Sequence, residues 1–131
     1  VTDQPDVELC LPAENAYVSV LRMTTAGLAA RLDFTLDDIE DLRMAVGEAC
    51  ALVLEGADPE GRLRVGFELG DGTMRVTVAV DGASTGGPDT DTFAWQVLSA
   101  LATDLTADTS EGRRAISFRT STSVDASSRA G

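Results

Sequence analysis

Histidine and lysine are both missing from this chain of 131 residues. Without imidazole, histidine-based proton transfer and histidine-containing metal sites are excluded together. Every basic residue is arginine, 10 against 22 acids, for a formal net charge of −12. That sign is wrong for phosphate backbones, whose capture needs cations and counterion release, so no direct nucleic-acid binding is expected. A basic protein surface suits it better, and the charge also serves solubility. No apolar run is long enough to cross a bilayer and no signal-peptide-like start is present, so neither membrane insertion nor export is expected. Cysteine is scarce too. Cys10 and Cys50 lack Cys-x-x-Cys spacing and sit in apolar stretches, which predicts two buried free thiols in a reducing cytoplasm.

What is present is a clear succession of elements. Val7 to Leu11 alternates apolar and polar before Pro12, as a short strand does. Glu14 to Leu32 predicts a helix whose apolar face is Tyr17, Val20, Leu21, Leu28 and Leu32, with Arg22 beside it. Thr35 followed by Asp38 forms a capping-box-like start. It opens a second helix, Leu36 to Leu54, with a stripe of Ile39, Leu42, Val46, Ala49 and Val53 and an end near Gly56. Strands Leu63–Leu69 and Met74–Val80 flank Gly70-Asp71-Gly72, a hairpin signal. Asp81 to Asp91 reads as an exposed loop, Phe93 to Leu105 as a third helix, and Leu105–Thr109 with Arg114–Thr120 as a second hairpin.

Strand, two helices, hairpin, loop, helix, hairpin is a segregated order. It predicts an α+β fold, a two-layer α/β sandwich with a mostly antiparallel sheet and three helices on one face. Residues 1–120 form one domain on this reading, and the Ser- and Ala-rich residues 121–131 a disordered tail.

Pro12-Ala13, the helix carrying Arg22, and the run from Phe34 through Arg43-Met44-Ala45-Val46-Gly47-Glu48-Ala49-Cys50 together resemble the anti-sigma-factor serine kinases of bacteria. The likeness extends from about Val7 to Thr120, and Phe93 to Asp104 is similar to divergent actinobacterial members. It implies the histidine-kinase-like ATPase fold shared with gyrase, Hsp90 and MutL. It also implies a protein that sequesters an alternative sigma factor, is displaced by an anti-sigma-factor antagonist, and in active members phosphorylates that antagonist on serine with Mg-ATP.

Three family boxes serve that chemistry, and each is altered here. The first has a glutamate as general base and, four residues later, an asparagine that helps hold magnesium; Glu48 matches, but the asparagine position is Leu52. The second has an aspartate that accepts from the adenine amino group, followed by two spaced glycines; Asp81 matches, while the glycine positions are Ala83 and Thr85. The third has a glycine pair where the last helix meets phosphate, and here those positions are Thr92 and Ala94, with Gly86-Gly87 too early to replace them.

The hydrophobic framework is kept while the metal and phosphate chemistry is not. The expectation is therefore an anti-sigma factor with a degenerate kinase site, no metal and no required cofactor, Mg-ATP being implied by the resemblance alone. By the same resemblance Arg22 faces the sigma factor and the antagonist, and the chain forms a homodimer. From the residues alone, Arg22 also reads as a solvated helix arginine, and Asp33, Asp37, Asp38, Glu40 and Asp41 as helix-start acids. The alternatives are an active serine/threonine kinase using Glu48 and a ligand-sensing regulatory module.

Overall fold

The computed structural model describes residues 4–81, 90–110 and 112–123. Strand β1 (Val7–Pro12) leads through a 3-10 turn, Asn15–Tyr17, into helices α1 (Val18–Arg31) and α2 (Leu36–Leu54). Strands β2 (Arg62–Leu69) and β3 (Thr73–Asp81) follow, then helix α3 (Phe93–Leu101) and strands β4 (Thr103–Ser110) and β5 (Arg113–Ser121). The five strands form one sheet in the order β1-β2-β3-β5-β4, every neighbouring pair antiparallel. The α+β sandwich expected from the element order is the observed architecture.

The sheet's two faces follow from strand alternation. Leu63, Val65 and Phe67 of β2, Met74, Val76, Val78 and Val80 of β3, and Ile116 and Phe118 of β5 turn to the helices and are buried. They meet Leu42, Val46, Ala49, Cys50 and Val53 of α2 in one core. The opposite face carries Cys10, Arg64, Ala79 and Ala115 in cross-strand register. Cys10 is consequently exposed, with the Arg62 Nε–H directed at its sulfur at 3.4 Å, and only Cys50 is a buried thiol. The expectation of two buried thiols fails at Cys10 because its neighbours in sequence alternate between the two faces.

Several boundaries also move. Tyr17 and Val20, read as part of the apolar face of the first helix, are exposed at 38% and 41%, while Val18, Leu21, Thr25 and Ala29 turn inward. Thr25 fits the core because its hydroxyl donates to the Leu21 carbonyl at 2.8 Å. Helix α3 stops at Leu101, and Leu105 lies on β4. Asp81 closes β3 instead of opening the loop, most of which lies outside the described residues.

Residues 121–123, read as the start of a tail, are held to the domain, and 124–131 lie outside the described residues. Ser121 belongs to β5, and Asp38 accepts hydrogen bonds from the Thr122 hydroxyl and from the backbone and side chain of Ser123. Asp38 thereby ties the end of the sheet to the start of α2, where it also accepts from the Thr35 backbone in a complete capping box. Burial works to raise its pKa, but the hydrogen bonds from Ser123 and Thr35 outweigh it and hold the carboxyl down at about 2.

Candidate functional site

Helix α2 carries the first box on one of its faces. Glu48 is half-buried, at the border of the core stripe, and Leu52, one turn on, is 3% exposed inside it. Opposite Leu52, β5 contributes a residue that sequence reasoning passed over. Arg114 pairs across the sheet with Val80, so it points into the helix–sheet layer, and it is 6% exposed. Its guanidinium donates to the backbone carbonyls of Leu52, at 3.2 Å, and Glu55. Those carbonyls belong to the last turn of a helix, which lacks intrahelical donors and carries the negative end of the dipole. A buried arginine is therefore satisfied there, and it ties β5 to the C-terminal end of α2. The hint in sequence was Arg113-Arg114 at the start of a strand, where alternation sends one arginine inward.

Asp81, the second-box residue, sits one position past Val80 and so points to the other face of the sheet. Its carboxylate accepts from Arg64 Nε at 3.3 Å in an ion pair of half-exposed side chains. Arg113 lies across from it on β5. Ala83, Thr85, Gly86 and Gly87 fall outside the described residues. At the third box, the Thr92 hydroxyl accepts from the Trp95 backbone N–H at 3.2 Å, giving α3 its own side-chain cap. Among the described residues, no group of three or more acidic or thiol side chains could hold a metal ion.

Arg22 rises from α1 at the edge of its contact with α2. It is an exposed residue by area, yet its guanidinium is laid across the α2 backbone at Gly47. A Cβ placed on Gly47 would come within 2.9 Å of both Cζ and Nε of Arg22, and closer still to Nη2. Beneath lies Cys50, fully buried; burial pushes its thiol up to about 12, and the Arg22 charge only partly opposes that. None of the ion pairs or side-chain hydrogen bonds found among the described residues uses Arg22. Its charge is held in place without an acidic partner among the described residues.

The sites expected from the sequence are thus dispersed. Arg22 lies over Gly47, the residue before Glu48, whereas Asp81 lies on the far face of the sheet. Gly47 and Arg114, which no motif singled out, are in contact with Arg22 and with the Leu52 carbonyl respectively.

The histidine kinase-like ATPase domain family matches residues 11–117. Among individual proteins, the serine-protein kinase RsbW of Halalkalibacterium halodurans is 41% identical over 83 residues, which is 62% of this chain and 51% of that protein. The serine-protein kinases RsbW of Bacillus thuringiensis and Bacillus cereus are each 38% identical over 80 residues, 60% of this chain and 50% of theirs. The chain spans about half the length of the curated relatives it matches. No helix among the described residues is long and apolar enough to cross a membrane. A five-stranded antiparallel sheet under three helices and a family match over most of its length agree: the chain belongs to the histidine kinase-like ATPase domain family.

Proposed function

We propose that this chain is a cytoplasmic anti-sigma factor that binds an alternative sigma factor, withholds it from RNA polymerase, and releases it to an anti-sigma-factor antagonist. Family membership and the kinase relatives support the partner-switching role. Leu52 carries the choice of binding over catalysis. Magnesium needs near-octahedral oxygen coordination, and here a branched alkyl group stands in the core at the position where the family has an oxygen ligand. The backbone carbonyl of Leu52 is itself taken by the buried Arg114 guanidinium. These residues do not fit a magnesium-bound nucleotide, so no phosphate-transfer step is assigned to Glu48. The outward ion pair of Asp81 and the self-capped start of α3 point the same way.

On this reading Arg22 supplies the contact to partner. A guanidinium favours bidentate pairing with a carboxylate, and this one is exposed with no acidic partner among the described residues. The test is to immobilise the protein, offer it lysate of its source organism with and without Mg-ATP, and identify retained proteins by mass spectrometry. A sigma factor held equally under both conditions is expected. Retention that depends on Mg-ATP, or no sigma factor under conditions that preserve such complexes, overturns the reading. Arg22→Ala should weaken the complex by about tenfold or more, a loss typical of an interface arginine.

A kinase is the second reading, favoured by the names of the relatives and by Glu48, which is in place and in no ion pair among the described residues. Stoichiometric transfer of phosphate from Mg-ATP to an antagonist protein would establish it. Leu52→Asn alone is not expected to produce transfer, because Arg114 and Asp81 would remain as they are.

A further inference from the structure

The contact between Arg22 and Gly47 joins the helix α1 arginine to the residue immediately before Glu48. Gly47 is buried on a part of α2 that faces away from the sheet, and the three atoms nearest to a Cβ built on it all belong to the Arg22 guanidinium. What covers Gly47 is therefore the arginine head itself. Only a residue without a side chain lets the planar group lie flat on the helix at that point. One turn to either side on α2 stand Met44, 52% exposed, and Ala51, also exposed. Next to Arg22 on α1 is Met23, 74% exposed. These exposed apolar residues lie on the two helices that carry Arg22 and Gly47, in a protein whose net charge is −12.

We propose that Gly47 is a positioning residue: it seats the Arg22 guanidinium on the α2 backbone at the α1–α2 edge, and the seat recognises a partner segment that presents a carboxylate. The proposal rests on the reading above that Arg22 faces the partner. Charge complementarity selects the occupant. A guanidinium with no acidic partner among the described residues favours a carboxylate over a neutral or basic group.

Gly47→Ala separates this role from a structural one because its two effects have opposite signs. Alanine is the better residue inside a helix, and the only atoms its methyl must displace nearby are the far end of a flexible side chain. The melting temperature should stay level or rise while the arginine head is pushed off its seat. In a 15N spectrum of the arginine Nε–H groups, the signal assigned to Arg22 by its loss in Arg22→Ala should shift in Gly47→Ala. Backbone amides outside α1 and α2 should not. Affinity for the sigma factor recovered by the lysate experiment should fall about tenfold, as far as in Arg22→Ala, and the double variant should bind no worse than either single one.

An unmoved Arg22 signal in Gly47→Ala overturns the seat without any partner in hand. So does a fall in melting temperature that accompanies the loss of affinity, or full additivity in the double variant. If Arg22→Ala binds normally, the partner reading fails. If Arg22→Ala is impaired and Gly47→Ala is not, the partner reading stands and the seat alone falls.

Discussion

Helices α1 and α2 lie side by side and use their apolar residues in opposite ways. In α2 the stripe Leu42, Val46, Ala49 and Val53 is buried, and the far side carries Asp37, Glu40 and Asp41 in solvent. Its N-terminus is closed by the reciprocal bonds of Thr35 and Asp38. Helix α1 has no side-chain cap and no acid in its first turn, and its only charges are Arg22 and Arg31. Val18, Leu21, Thr25 and Ala29 face the core, but Val20, Met23, Gly27 and Ala30 face out, leaving an outer surface with apolar residues and no acid. A helix that is apolar on both sides has either a second covering or a partner. The difference separates a helix that builds the domain from one that also offers a surface.

Substitutions along the two helices can break that comparison. The largest effect is expected for Leu42→Ala, which removes a side chain 1% exposed at the centre of α2. A loss of about 2–5 kcal/mol in urea unfolding is typical of such a cavity. A loss below ~1 kcal/mol would mean that α2 is not the structural helix described.

A smaller, pH-dependent effect is expected at Asp38. Its folded pKa of about 2 lies below the ordinary value of 3.8, so its ionised form favours the folded state above pH 3.8. That contribution disappears as the pH falls from about 4 towards 2. Asp38→Asn should cost about 1–2 kcal/mol at pH 7, after discounting for solvent screening, and little near pH 2. Urea unfolding of both proteins across that range would show the gap closing. A gap independent of pH would assign the cost to shape and not to charge.

The smallest stability effect belongs to α1. Met23→Gln replaces a side chain 74% exposed and should change stability by no more than about 0.5 kcal/mol. It should weaken partner binding nonetheless, measured against the sigma factor that the lysate experiment identifies. Unchanged binding together with a large loss of stability would reverse the roles given to the two faces of α1.

Legibility in the sequence followed the same division. The capping box, the α2 stripe and the hairpin at Gly70-Asp71-Gly72 were readable because each depends on neighbours in the chain. Gly72 adopts φ of 70°, in the left-handed region that glycine permits at a turn. The face of α1 was misread at Tyr17 and Val20 because a helix apolar all round has no periodicity to choose its buried side. Thr25 was missed because its hydroxyl is satisfied within its own helix. Among the site residues, Glu48 and Arg22 were found by their resemblance to a motif. Gly47 and Arg114 were not, since nothing local to either residue records what lies across from it.

The sequence by itself determined the elements, their order and the class of fold. Hydrophobic spacing, caps and turn residues act within a few positions of the chain, and they remain readable before any folding. Tertiary structure alone decided that Asp81 turns outward to Arg64, that Arg114 is buried against the carbonyls of Leu52 and Glu55, and that Arg22 lies over Gly47. Each of those contacts joins residues 17 or more positions apart in sequence. Two depend on the phase of a strand and the third on which side of a helix meets its neighbour. Packing fixes those choices, because burial of apolar surface constrains whole faces at once and leaves the charged groups where the remaining geometry puts them.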